Sequence, residues 1–162
     1  LSSLVRDTVI CGSVVRIRKG FRGNLQIFAS DSVIVEEGAM LEYPSGIYVD
    51  SGERRPYVLL EKYSSVSGYV IVTSENSDSQ LRYPSYVQKS GATINGLLYV
   101  DGSCNIEGDI IGTAYVKDCY YYSNGNVYAG TLYDARVVRS DSLAFPIFLK
   151  GPYERKMIKK LH

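Results

Sequence analysis

Asp101, Asp109, Asp118 and Lys117 are among the side chains of the second half of the chain whose types suit acid–base chemistry. Two facing carboxylates supply a general acid and a general base, and a lysine beside them can tune either one. Here each stands at a corner or surface position, where solvation accounts for it, and no spacing pairs them. The single histidine is His162, the last residue, so a mechanism built on a positioned imidazole would rest on a chain end. No HExxH, GxSxG, GxxxxGK or GxGxxG run occurs, and Gly20-Phe21-Arg22-Gly23 is too sparse for a phosphate loop. Three cysteines, Cys11, Cys104 and Cys119, match no CxxC metal spacing, and an odd number cannot all pair within the chain. They read as small core residues, with a Cys104 to Cys119 bridge as the alternative. No catalytic, cofactor-binding or metal-ligating residue is assigned, and no cofactor is expected.

The elements that would carry these residues are short strands. Fifteen tyrosines, fifteen glycines and no tryptophan favour extended segments with frequent tight corners. Between Gly91 and Tyr115 the pattern is periodic: Gly96, Gly102 and Gly108 are preceded two places earlier by Ile94, Val100 and Ile106. They are followed two places later by Leu98, Cys104 and Ile110. A six-residue interval suits a β-solenoid whose strands meet at glycine corners. Earlier, Val15-x-Ile17-x-x-Gly20 returns as Val33-x-Val35-x-x-Gly38, a shift of eighteen that also carries Leu25 onto Tyr43 and Cys11 onto Ala29. A partial copy follows at Ile47-x-Val49-x-x-Gly52. Eighteen is three sixes, so the expected fold is all-β: a single-stranded β-helix with roughly 18-residue turns.

One domain over residues 1–162 is expected. Strands are read at Tyr57–Leu60 and Tyr69–Val72, then a polar excursion over about 73–90 with a short strand near Leu81–Tyr83. Further strands are read at Tyr115–Tyr122 and Val127–Tyr133 around the turn Ser123-Asn124-Gly125-Asn126, and at Ala135–Val138. Residues of about 140–162 read as an apolar cap, Leu143–Leu149, and a basic tail. Arg16, Arg18, Glu36 and Asp50 alternate with apolar residues and mark a solvated face.

The stretches Leu25–Val49 and Ile94–Gly112 resemble bactofilin-like, polymer-forming β-solenoids and bacterial envelope proteins with an N-terminal anchor before a β-helical body. Ile94–Ile111 is also similar to left-handed β-helical acyltransferases, whose internal histidine has no counterpart here. Right-handed β-helical polysaccharide lyases and hydrolases offer a third comparison, in which Asp101, Asp109, Asp118 and Lys117 would stand on the outer face. The bactofilin-like resemblance implies a non-enzymatic structural or interaction scaffold, the soluble part of an exported or envelope-anchored protein. Its expected partners are a second copy or another envelope protein. A carbohydrate-binding or carbohydrate-active domain is the alternative, from the tyrosines at Tyr120, Tyr121, Tyr122 and Tyr128. A net charge of +1 excludes general nucleic-acid binding. Leu1 is not an initiator methionine, and the first ten residues show no signal layout or membrane-length run. Contact with a membrane is expected only through a segment ahead of Leu1.

Overall fold

The computed structural model describes residues 5–52, 54–74 and 84–140. These contain ten strands and no helix: β1 (Val5–Ile17), β2 (Arg22–Val35), β3 (Met40–Asp50), β4 (Tyr57–Leu60) and β5 (Ser65–Thr73). The others are β6 (Tyr86–Gln88), β7 (Thr93–Ile106), β8 (Asp109–Ser123), β9 (Asn126–Ala129) and β10 (Arg136–Val138). Alternation of apolar and polar residues directs one side of each main strand inward, as at Leu25, Ile27 and Ala29, or at Val70 and Val72, all buried. Ile94, Leu98, Val100, Cys104, Ile106 and Ile110, the six apolar positions around the six-spaced glycines, all enter the same core.

The strands do not form the expected β-solenoid. Their hydrogen-bonded neighbours run β2–β3–β5–β7–β6–β4 and return to β2, a closed, barrel-like ring of six parallel strands. β1 lies outside against β2, while β8 pairs with β7 and carries β9 and β10. The ring closes because β2 and β7 are long enough to pair twice. The first part of β2 meets β3 and its last four residues meet β4; β7 meets β5 and then β6 in the same way. Nor is the interval a constant eighteen. Val15 does lie opposite Val33, but Ser65 lies opposite Thr93, twenty-eight residues on, and Thr93 opposite Asp109, sixteen on. Residues inserted between the paired segments lengthen the path, and a register shift before Gln26 leaves Tyr43 without the expected partner Leu25. A one-residue shift in β1 likewise sets Cys11 opposite Phe28, not Ala29.

Other expectations are corrected locally. β9 ends at Ala129, where Gly130 turns with φ 66°, so Thr131–Tyr133 is not strand. The polar excursion is interrupted by β6, whose Tyr86 and Gln88 are fully buried. The strand near Leu81–Tyr83, the apolar cap, the basic tail and His162 lie outside the described residues. The Asn124–Gly125 turn is as expected: both residues have positive φ, the requirement of a two-residue hairpin loop, and β8 and β9 pair antiparallel across it.

Gly68, Gly96 and Gly112 are register partners in three adjacent strands, with φ of 142°, 144° and 152°. Ser45 of β3 pairs below Gly68. A Cβ on Gly68 would stand 1.8 Å from the Ser45 carbonyl oxygen, and one on Gly112 1.9 Å from that of Gly96. Backbone strain and a clash with main chain therefore coincide there. Gly112→Ala should cost about 3 kcal/mol or more of stability, or prevent folding, whereas Gly20→Ala, with positive φ but open space around it, should cost about 1 kcal/mol. Urea unfolding midpoints check the ranking.

Candidate interaction surface

On the outer side of the ring, register alignment builds a continuous column. Cys11 pairs with Phe28, Phe28 with Tyr48, Tyr48 with Ile71, Ile71 with Tyr99 and Tyr99 with Tyr115. Each is flanked in its strand by inward residues such as Ile27, Ile47, Val70 and Leu98, so the alternation leaves it no choice but to face out. Phe28 and Tyr99 are 41% exposed and Tyr115 62%, large values for aromatic rings set side by side across strands. The rungs are ~4.8 Å apart, close enough for neighbouring rings to touch, and the Phe28 and Tyr48 centroids are 6.1 Å apart. Shallow open depressions flank both ends: one of about 550 Å³ beside Cys11, Phe28 and Tyr48, another of about 220 Å³ beside Tyr99 and Tyr115. In the adjoining row, Tyr69 lies flat across Gly46, where a Cβ would meet its ring at 2.1 Å, and its hydroxyl donates to Gln26 Oε1 at 2.8 Å. Burial pushes the Tyr69 phenol above its ordinary pKa.

Of the charged residues singled out in the sequence, Asp101 and Lys117 meet across neighbouring strands, and Asp109 lies apart from them. Asp101 faces Lys117 of the next strand at 3.9 Å, and Asp109 accepts from Arg136 at 2.9 Å. Thr93, the partner of Asp109, lies eight residues before Asp101 on β7, which at ~3.3 Å per residue holds the two carboxylates on the order of 20 Å apart. That is far beyond the ~5–10 Å over which two carboxyl groups share a scissile bond. Asp118 stands beside Cys119. Among the described residues no group of three or more histidine, cysteine or acidic side chains converges as a metal site would require. The solvated face carries cross-strand ion pairs, as its charge alternation implies. Glu36 bridges Arg16 at 3.3 Å and Arg18 at 3.1 Å, and accepts from the Lys19 backbone N–H at 2.9 Å.

A second aromatic group occupies the β8–β9 hairpin. Tyr121 stacks on Tyr133 with centroids 4.3 Å apart and leans on Tyr128 at 6.2 Å, while Tyr120 turns inward and is buried. The tyrosine run therefore splits. Tyr120 is buried, whereas Tyr128 and Tyr133 are about half exposed.

No motif in the sequence marks the buried polar cluster around Gln88. Gln88 sits in an aliphatic row between Leu60 and Ile106, fully buried. Its Nε2 donates to the Ala92 and Asp109 carbonyls at 2.8 and 3.0 Å, and its Oε1 accepts from the Tyr86 hydroxyl at 3.0 Å. Glycine at position 108 makes this possible, since a Cβ there would stand 2.7 Å from Gln88 Nε2. Tyr86 in turn pairs with Cys104, and Cys104 with Cys119, whose sulfurs are 3.1 Å apart.

Protein-family models, curated proteins and solved structures were compared with the chain, and none matches.

Two outcomes follow from this geometry. Tyr86→Phe leaves the buried Gln88 Oε1 without a donor and should cost about 1–3 kcal/mol in urea unfolding. The Lys19 N–H, with the Arg16 and Arg18 guanidinium groups, holds the Glu36 carboxyl below the ordinary carboxylate pKa of 4.5. The folded state thus binds that proton less tightly than the unfolded chain does. Its stabilising contribution is complete above the ordinary value and is lost as pH falls through the lowered one. Glu36→Gln should therefore be less stable than the wild type at neutral pH, with the gap narrowing on acidification below about pH 4.5; urea midpoints across that range check it.

Proposed function

We propose that this chain is a non-enzymatic interaction scaffold, the soluble part of an exported or envelope-anchored bacterial protein, and that its outer aromatic column is the contact surface. The column itself carries the reading: six outward residues on six strands, mostly aromatic, aligned by backbone register into one stripe that is exposed at Phe28, Tyr99 and Tyr115 and half-buried at Tyr48 and Ile71. Contiguous exposed apolar surface on a folded domain marks a place of contact, while the flanking Asp101–Lys117 pair keeps its edge polar. The occupant favoured is a second copy of this chain, because flat stripes of this kind are self-complementary about a two-fold axis.

A carbohydrate-binding role is the second reading, favoured by the stacked Tyr121 and Tyr133 rings with Tyr128 beside them. Exposed phenol rings offer an apolar face and a hydroxyl, the combination that sugars stack against.

Light scattering across a concentration series separates the two. The wild type should rise in mean mass with concentration. Tyr99→Ser with Tyr115→Ser, with an unchanged circular dichroism spectrum, should weaken association about tenfold or more, as expected for two aromatic contacts of about 1 kcal/mol each. A wild type that stays monomeric throughout overturns self-association. Binding on a glycan array that Tyr121→Ala abolishes would move the assignment to the second reading.

A further inference from the structure

We infer that Cys104 and Cys119 form a thiol pair that closes reversibly to a disulfide, and that this bond latches the β8–β9 hairpin to the core. The two residues are direct register partners on adjacent parallel strands, and their sulfurs already lie 3.1 Å apart in the reduced protein. Paired backbones in adjacent strands hold the two Cα atoms inside the ~4.4–6.8 Å span a disulfide bridges, so closure needs side-chain rotation and no strand movement.

The two thiols are placed for different roles. Cys104 ends an inward row that runs Val15, Val33, Val58, Tyr86, and is fully buried. Cys119 is partly exposed and the hydrogen bond between the two sulfurs lowers its pKa, while the same bond and burial push the Cys104 thiol up. Cys119 is thus the attacking sulfur and Cys104 the resolving one. With a small disulfide such as oxidised glutathione as oxidant, the Cys119 thiolate attacks one of its sulfurs and expels one glutathione thiolate. Cys104 then attacks the Cys119 sulfur, giving up its proton to solvent and releasing the second glutathione thiolate. The protein loses two electrons and two protons, and the oxidant becomes two thiols. Cys11, exposed on the outer column far along the sheet, takes no part.

What the bond would hold is specific. Cys119 directly precedes Tyr120–Ser123, the part of β8 that pairs only with β9 and carries Tyr121. Up to Cys119, β8 is anchored on β7; beyond it, the hairpin is tied to the body mainly by its own packing. A covalent link at the last anchored residue fixes the hinge of that hairpin. The inference does not depend on what the outer column binds.

The test uses the full chain carrying Cys11→Ser, which removes intermolecular coupling through the exposed thiol. It is incubated folded with oxidised glutathione, then unfolded and alkylated. The expected result is a mass lower by about 2 Da, no alkylation at Cys104 or Cys119, and full recovery of both thiols with reductant. Cys104→Ser should stop at one glutathione on Cys119, and Cys119→Ser should take up none. Amide exchange over Tyr120–Ala129 should slow about tenfold or more on oxidation, with the β2–β3 amides unchanged. Two alkylated thiols after oxidation, or glutathione on Cys104, would overturn the pair, and a disulfide that leaves hairpin exchange unaltered would overturn the latch.

Discussion

Gly68, Gly96 and Gly112 stand at one level of three adjacent strands, and at Gly68 and Gly112 the neighbouring backbone leaves no room for a side-chain carbon. All three residues hold the same unusual φ, so the strands bend at one level and keep their pairing through the bend. Ser45, beneath them on β3, is buried, and its hydroxyl accepts from the Leu25 N–H, continuing the same level onto β2 with a side chain in place of a main-chain pairing. Without that shared bend, residues on either side of it could not be in register at once. The alignment of Val66 with Ile94 before it and of Val72 with Val100 after it both depend on it.

Register, in turn, is what turns alternation into a surface. A strand alone decides only that residues two apart share a side; the stretches between the register shifts, where β1, β2, β3, β5, β7 and β8 pair in step, make each side a set of straight rows. Inward rows become the core, as with Ile27, Ile47, Val70 and Leu98. The outward row between two of them becomes the aromatic column. The same alignment opposes the acidic and basic residues of successive strands, which is why Asp101 meets Lys117 and not another carboxylate.

Those aspects of the fold that are local were legible in the sequence. Apolar residues two before and two after each six-spaced glycine are buried because period-2 alternation is a property of the strand itself. The Asn124–Gly125 turn was legible because positive φ at two successive residues needs those residue types. The ring closure was not, because it depends on which distant segments pair. A repeat of eighteen holds where Val15 meets Val33, yet the residues inserted before β4 stretch it to twenty-five between Met40 and Ser65, and those before β6 to twenty-eight between Ser65 and Thr93, without disturbing the strand pattern on either side. The six-spaced glycines also proved unlike one another. Gly96 bends a strand, Gly102 makes room for Ser85, and Gly108 makes room for Gln88, three different reasons that one spacing conceals. Tyr86 and Gln88 were hidden by their polar neighbours in sequence, which say nothing about the buried row these two enter.

That row also shows how a core can change chemistry along its length without losing packing. It begins with Val15, Val33 and Val58, where only volume matters, and passes to Tyr86, whose ring fills the same place while its hydroxyl reaches sideways to Gln88. The amide of Gln88 then satisfies the carbonyls of Ala92 and Asp109, tying the turn before β7 to the start of β8. Each group in this set is hydrogen-bonded, so the buried polarity fixes one arrangement of the two turns at little cost, whereas an aliphatic residue at position 88 would take away the acceptor of the buried Tyr86 hydroxyl and one donor to each of the two carbonyls. The row ends in two sulfurs at the point where β8 leaves the body. Apolar packing, hydrogen bonding and thiol chemistry therefore succeed one another toward the aromatic hairpin, and the most specific interactions lie where the fewest neighbouring strands remain to hold the chain.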